Sequence, residues 1–316
     1  MISAVKRRLM ERFPALLFVI IVVAALSISA CEKTKKSAGQ EEKPQQQQLL
    51  IGLIPEQNVF RQRERYLILG KYLSSRLGIT INFTSLSRYG NIIERFNAEK
   101  MDGAFFGSFT YALAHSQLGV EAIARPVNLD GTSTYHGYLF VRKDSGIRTS
   151  TDMKGKRFVF VERATTAGYL FPLAYFKENG IADPHSYLGE TFFAGSHDAA
   201  IQAVLNKEAD IGAAKNTIFD QMAAENPRIE KELMILATSA VVPQNSLAMR
   251  KDLDPELKSS LKKILFDMKN NEEGRQALRR FGARDFIETS ENDYEYFYRL
   301  SSQVGIDLKR YRYHNE

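Results

Sequence analysis

The stretches IIERFNAEKMDGA at residues 92–104 and AIQAVLNKEADIG at residues 200–212 share one layout. In each, a helix with apolar periodicity ends in a polar turn, and an aspartate, Asp102 or Asp210, opens a buried strand. Any helix–strand unit can have this layout, so the module alone leaves chance similarity open. Two similar lobes are the simplest interpretation of the repeat.

Short apolar runs alternate with amphipathic stretches around both modules. The first series predicts strands at Leu49–Pro55, Ile79–Phe83 and Met101–Phe106 and helices at Arg61–Leu77 and Ile92–Glu99. The second predicts strands at Arg157–Val161, Glu190–Phe193 and Asp210–Ala213 and helices at Gly168–Asn179 and Asp198–Lys207. A strand at Ser246–Arg250 precedes a tail predicted to be helical at Pro255–Lys269, Glu272–Arg280 and Asp293–Gln303. The alternation predicts an α/β protein.

The helical tail is expected to pack back on the first series. Residues 49–139 plus 244–316 then form lobe 1, and residues 140–243 form lobe 2. The chain would cross between the lobes near Tyr138–Arg142 and near Thr238–Asn245. Two such crossings can act as a hinge.

The N-terminus has the layout of an export signal. Lys6, Arg7, Arg8 and Arg12 precede an uncharged apolar run, Phe13–Ala30. Small residues lead into Cys31, the only cysteine, as in the lipobox of bacterial lipoproteins. Residues 1–30 are therefore predicted to be a lipoprotein signal peptide, with Cys31 acylated and anchored to a membrane. An uncleaved anchor helix and soluble export remain open, and all three place the rest of the chain outside the cytoplasm.

Residues 31–48 are polar without apolar periodicity, which predicts a disordered tether.

Composition excludes several classes of function. The net charge of +6 falls to +3 without residues 1–30, which carry four Lys/Arg and one Glu, so nucleic-acid binding is not indicated. No nucleophile elbow, zinc helix or phosphate-binding loop occurs, and the five histidines lack metal-ligand spacing. We therefore expect that the protein is not an enzyme and that it binds neither a cofactor nor a metal ion.

The heptapeptide ERATTAG at residues 162–168 joins an apolar strand to an amphipathic helix. The hydroxyls of Thr165 and Thr166 and the free amides of a helix N-terminus, beside Gly168, can receive an anion at the positive end of the dipole. A phosphoryl group fits that description. In isolation, the simpler interpretation is that Thr165 or Thr166 is no more than an N-cap.

A second strand-to-helix junction, GSHDAA at residues 195–200, contains His197, which can donate to an anion. Asp198 is expected in the first helical turn, where it complements the dipole. Tyr89 and Tyr135 are expected in polar loops of lobe 1, where a phenol can donate to an oxyanion. A histidine at such a junction can also be purely structural.

Taken together, the segments ATTAGYLFP at 164–172, FAGSHDAA at 193–200 and FGSFTY at 106–111 resemble a known family. It comprises the substrate-binding proteins of phosphonate, phosphite and phosphate ABC transporters, and the resemblance runs from about Leu49 to Arg280. It implies a type II periplasmic binding protein, with two α/β lobes around a cleft. Thr165, Thr166 and the amide of Ala167 would then form the phosphoryl cradle. His197 would be a further donor, and Tyr89 and Tyr135 would be the lobe 1 ligands.

The resemblance implies a monomeric, lipid-anchored protein that captures a small phosphorus oxyanion and delivers it to an ABC permease. Asn245 falls where some members carry Asp, and Ile218 is a second departure. These are the places that resemble a carboxylate pair for a ligand amine, so we expect aminoethylphosphonate to be disfavoured. A shifted alignment would bring Asp220 into play instead. A sensor component for the same anions is the alternative function, and an exported hydrolase is a weaker one.

Overall fold

The computed structural model describes residues 47–311 and Tyr313. The predicted signal peptide, Cys31 and nearly all of the tether lie outside the described residues. The strands are β1 Gln48–Leu53, β2 Thr80–Ser85, β3 Gly103–Phe106, β4 Glu121–Asn128, β5 Thr134–Tyr135, β6 Gly137–Arg142, β7 Arg157–Phe160, β8 Glu190–Phe193, β9 Ile211–Lys215, β10 Leu233–Thr238, β11 Val242–Pro243, β12 Ser246–Met249 and β13 Ala283–Glu288.

The helices alternate with these strands, as the sequence predicts. They are α1 Val59–Leu77, α2 Ile92–Ala98, α3 Ser108–Leu118, α4 Phe171–Glu178, α5 Pro184–Tyr187, α6 His197–Leu205, α7 Asn216–Glu225, α8 Pro227–Glu232, α9 Pro255–Asp267, α10 Glu272–Phe281 and α11 Glu295–Gln303. A π-helical turn at Thr166–Leu170 precedes α4, and three 3₁₀ turns lie at Thr151–Met153, Met268–Asn270 and Glu291–Tyr294. None of the helices between residues 47 and 311 is long and apolar enough to cross a membrane.

Two sheets define two lobes. The first has six strands in the order β13-β4-β12-β3-β1-β2, and the second has five in the order β10-β6-β9-β7-β8. β1 runs parallel to β2 and β3, and β7 runs parallel to β8 and β9. An antiparallel strand flanks each parallel group, β12 in the first sheet and β6 in the second. The α/β architecture with two lobes is confirmed.

The repeated module occupies equivalent places in the two lobes. The carboxylate of Asp102 accepts from the amide of Leu50 in β1 at 2.8 Å, and that of Asp210 accepts from the amide of Arg157 in β7 at 2.9 Å. The turn before each aspartate contains a lysine with positive φ, 53° at Lys100 and 67° at Lys207, and no other non-glycine residue of the described chain has one. The similarity is therefore structural, since each aspartate ties its own strand to the neighbouring parallel strand.

The first crossing between the lobes lies earlier than predicted. All of β6 pairs within the second sheet, so Tyr138–Arg142 belongs to that sheet, and the predicted boundary after residue 139 falls inside β6. The chain leaves the first lobe through β5, and it returns between Thr238 at the end of β10 and Ser246 at the start of β12. β5 and β11 pair with each other as a short antiparallel ribbon. We refer to this ribbon as the hinge ribbon.

The tail is not wholly helical. β13 interrupts it and pairs antiparallel with β4 at the edge of the first sheet. The predicted helices before it are present as α9 and α10, and both pack on α1 of the first lobe. The last helix, α11, contacts α3 of the first lobe and α4 of the second. α11 therefore touches both lobes.

Candidate functional site

The predicted cradle is a strand-to-helix junction. β7 ends at Phe160, and the π-helical turn begins at Thr166 with Thr165 in the N-cap position. The side chain of Thr165 does not cap the turn, and no other side chain of residues 47–311 is seen to accept from its first amides. The residue without a side chain serves packing, because a Cβ at Gly168 would lie 2.4 Å from Cβ of Val161. Gly168 thus lets the turn approach the end of β7 closely.

The two threonines have different roles. The hydroxyl of Thr165 donates to the carbonyl of Glu162 at 2.6 Å, so it faces its own turn in this conformation. The hydroxyl oxygen of Thr166 accepts from the amide of Phe109 at 3.1 Å. Phe109 lies in the first turn of α3, in the other lobe. Thr165 occupies the N-cap position, but neither threonine side chain caps its own turn.

The N-terminus of α3 faces this junction from the first lobe. Gly107 is its N-cap and has no side chain to cap it, and within residues 47–311 the first-turn amide of Phe109 donates to Thr166 of the other lobe. Ser108 is buried and donates to the carbonyl of Pro243 in the hinge ribbon at 3.1 Å. Two helix N-termini, one from each lobe, therefore meet at Thr166, and their dipoles place positive potential between them. In the sequence, this N-terminus is part of FGSFTY at residues 106–111, which was identified only through its resemblance to the family.

Tyr135 lies in the hinge ribbon, not in a polar loop of the first lobe. Tyr135 is buried, and its hydroxyl lies near the side chains of Thr166 and Ser108. Burial raises the pKa of Tyr135, while hydrogen bonding from Thr166 and Ser108 opposes the shift. Ala167, in the π-helical turn, packs with Tyr135 and Val242 in one small buried cluster. The hinge, the cradle and the facing helix thus meet at one phenol.

Tyr89 lies in the loop between β2 and α2, as predicted, and is 3% exposed. Its hydroxyl is buried without a hydrogen-bond partner among the described residues. Burial raises the pKa of Tyr89 well above its ordinary value, so the phenol remains a protonated donor. Its ring meets that of His197 edge-on, with the centroids 6.1 Å apart.

His197 is the first residue of α6, and it is buried. Its backbone amide donates across the cleft to the carbonyl of Glu56 at 3.2 Å. Its Nδ1 lies 3.2 Å from the amide of Lys215, which can only donate, so Nδ1 accepts and the proton lies on Nε2. Burial lowers the pKa of His197 to about 3, and it is therefore a neutral donor at physiological pH. Asp198 lies in the first turn of α6, as predicted.

Asn245 lies beside two charged residues that the sequence analysis missed. Nζ of Lys215, at the end of β9, donates to Oε1 of Glu56 at 2.7 Å and to Oδ1 of Asn245 at 3.1 Å. The same ammonium lies 4.4 Å from the centre of the Tyr135 ring. Nδ2 of Asn245 is buried without a partner among the residues described. Glu56 and Lys215 each follow a buried apolar strand at its carboxyl end, which was the available signal.

Glu56 and Lys215 form an ion pair between the lobes. Burial raises the pKa of Glu56, but the charge and hydrogen bond of Lys215 outweigh it, so the net shift is downward and the carboxylate is ionised. Burial lowers the pKa of Lys215, and Glu56 opposes that shift. An ammonium that donates to a carboxylate and faces an aromatic ring is favoured in its charged form.

A cavity of about 500 Å³ lies next to this pair. Both lobes line it, the first through Glu56, Arg65 and Asn245 and the second through Lys215, Ile218 and Asp220. Burial raises the pKa of Asp220. Thr165, Thr166 and His197 are buried and do not line this cavity. No group of three or more His, Cys, Asp or Glu side chains within residues 47–311 could hold a metal ion.

The fold and cleft define a two-lobed binding protein of the type II periplasmic class. The family of periplasmic substrate-binding proteins of phosphonate ABC transporters matches residues 51–294, and the chain belongs to it. The predicted resemblance is therefore confirmed. Because this is a family of transport proteins, an importer component is favoured over a sensor, and the location is extracytoplasmic.

Individual relatives agree with this assignment. The chain is 27% identical over 247 residues to the "Phosphate-import protein PhnD" of Mycolicibacterium smegmatis, covering 75% of this chain and 77% of that protein. A binding protein component of an ABC phosphonate transporter from Pseudomonas aeruginosa superposes with a TM-score of 0.75 at 23% identity, over 82% of this chain and 87% of that one. PhnD1 from Prochlorococcus marinus, solved with methylphosphonate, has a TM-score of 0.73 at 21% identity, over 81% and 98%.

Proposed function

We propose that this protein captures a small phosphorus oxyanion, such as phosphate, phosphite or a simple alkylphosphonate, between its lobes. The observation that carries the proposal is the meeting of two helix N-termini, one from each lobe, at Thr166. Tyr89 and Asn245 supply donor groups that lack partners within the described chain, and buried donors of this kind are costly unless an acceptor satisfies them. A tetrahedral oxyanion supplies several acceptors at once.

The residues proposed to bind the anion come from both lobes and the hinge. Thr165, Thr166, Ala167 and His197 belong to the second lobe, and Tyr89 and Asn245 belong to the first. The amides of the π-helical turn and the hydroxyl of Thr166 receive the anion first. Closure then adds Tyr89, Tyr135 and Asn245. Because these contacts are complete only in the closed form, the ligand shifts the population toward it.

Several cross-lobe contacts support closure as the working motion. The amide of Asn58, before α1, donates to Asp198 of α6 at 3.0 Å, and Arg61 pairs with Glu225 of α7 at 2.6 Å. The ABC permease would recognise this closed shape. The protein would release its ligand unchanged, as a monomer anchored by the acylated Cys31, and it would have no catalytic activity.

Calorimetric titration with phosphate, phosphite and methylphosphonate tests the proposal. We expect saturable 1:1 binding of at least one of them, and no comparable binding of sulfate. In the Thr166→Val variant, binding should weaken by about 1–3 kcal/mol, because a hydrogen bond to a charged oxygen is lost. Thr151→Val, at an exposed 3₁₀ turn, is the matched control. Unchanged affinity in Thr166→Val would show that the cradle is misplaced.

A further inference from the structure

The cleft carries a fixed cation of its own. The side chain of Lys215 is 4% exposed and that of Glu56 is 14% exposed, and they are joined at 2.7 Å. Buried charges are tolerated where each has a partner. The three donors of the ammonium are matched by the carboxylate of Glu56, the amide oxygen of Asn245 and the face of Tyr135. Lys215 is therefore held in place by three different elements.

The buried polar groups of the cleft that lack a hydrogen-bond partner among the described residues, Asn245 and Tyr89, are donors. Because Oδ1 of Asn245 receives the lysine, its NH₂ group is the end without a partner within residues 47–311. The hydroxyl of Tyr89 is the other buried donor in the cleft without one. Both call for an acceptor. A ligand ammonium, which can only donate, would satisfy neither of them.

We propose that Lys215 determines specificity: by pairing with Glu56 it makes the cleft accept phosphorus oxyanions without an amine and reject aminoalkylphosphonates. The inference rests on the proposed function. The sequence predicts the same preference for another reason, because neutral Asn245 and Ile218 would give a ligand ammonium no counter-charge. The structure gives a different cause, since a carboxylate is present but already neutralised, and a ligand ammonium would meet a charge of its own sign.

Ethylphosphonate and 2-aminoethylphosphonate differ only in the amine, so their calorimetric affinities isolate its effect. Wild-type protein should bind ethylphosphonate at least tenfold more tightly. Lys215→Met keeps the side-chain length and leaves Glu56 free to receive an ammonium, so the preference should shift toward 2-aminoethylphosphonate by at least tenfold. The double variant Lys215→Met/Glu56→Gln should lose that shift. Lys71→Met, at an exposed position of α1, is the matched control.

Each outcome is decisive. Equal wild-type affinity for the two compounds would overturn the inference while leaving the proposed function intact, whereas no binding of any phosphorus oxyanion would refute both. A shift in Lys215→Met that survives Glu56→Gln but is abolished by Asp220→Asn would assign the amine to Asp220 and overturn the role of the pair. Should circular dichroism show Lys215→Met unfolded, Lys215→Gln provides the same comparison, and an unchanged preference in the folded variant would overturn the role of the pair.

Discussion

His197 is a titratable residue that the fold keeps neutral. Its ordinary pKa of 6.5 is lowered to about 3, first by burial and then by the nearby charge of Lys215, while Glu56 opposes the shift. Between these two pH values the unfolded chain binds a proton at this position and the folded chain does not. The free energy of unfolding must therefore decrease as the pH falls from about 6.5 toward 3, by at most about 1.4 kcal/mol per pH unit from this group.

Urea unfolding at pH 7, 6, 5 and 4 measures this effect. Relative to wild type, His197→Gln should show a weaker decrease in stability over that range, because glutamine does not titrate. Glu56, whose pKa is lowered, destabilises the fold in the same direction at acid pH, so only the difference between wild type and variant isolates the histidine. His185→Gln, at an exposed position, is the control. Parallel curves for wild type and His197→Gln would contradict the prediction.

Sequence could identify the site residues that lie in local motifs. Thr165, Thr166 and His197 are adjacent to strand-to-helix junctions, so their position relative to a helix N-terminus follows from the local pattern. Glu56 and Lys215 are 159 residues apart, and their pairing exists only because the two lobes close on each other. The hydrogen bond that turns Thr165 inward is likewise invisible in the sequence, since either threonine could have faced the cleft.

At the scale of elements, predictability depended on amphipathicity. The helices with one apolar face, such as α1 and α10, were predicted to within two residues at each end. α3 was missed because residues Ser108–Ala114 are all buried, which leaves no polar face to mark a helix. The strands β4 and β13 were also missed. β4 contains Pro126, an unfavourable residue in a strand, and β13, which pairs with β4, lies inside a tail dominated by helices.

The π-helical turn of the cradle depends on its close approach to β7, and Gly168→Ala tests that dependence. The added Cβ would lie 2.4 Å from Val161 and 2.9 Å from the hydroxyl of Thr165, so the turn must move. We expect a loss of about 1–3 kcal/mol in the free energy of unfolding, measured with urea. In Gly107→Ala the nearest atom would be 3.5 Å away, so this control adds no close contact and should cost less than about 1 kcal/mol, the effect of alanine at an N-cap. Equal effects of the two substitutions would argue against a special packing at Gly168.

At the scale of the whole molecule, the segment from Gln303 to Tyr311 joins the two lobes in addition to the hinge ribbon. The ring of Tyr311 packs against Phe109 of the first lobe, with centroids 5.1 Å apart, and its hydroxyl donates to the carbonyl of Arg163 in the second lobe at 3.0 Å. Lys177 of α4 donates to the carbonyl of Gln303 at 2.6 Å. Opening of the cleft must break one side of these contacts, so they stabilise the closed form.

Tyr311→Ala should therefore weaken ligand binding without touching any proposed ligand contact. Removing the ring and its hydrogen bond lowers the population of the closed form, so the apparent Kd should rise roughly 3–10-fold, equivalent to about 0.7–1.4 kcal/mol. Small-angle scattering of the protein without ligand should show a larger radius of gyration, and saturating ligand should restore the compact value. Arg310→Ala removes an exposed side chain one residue away and should change neither quantity. If Tyr311→Ala left the apparent Kd and the radius of gyration unchanged, the contacts of Tyr311 would not contribute to closure, which would then depend on the cleft contacts alone.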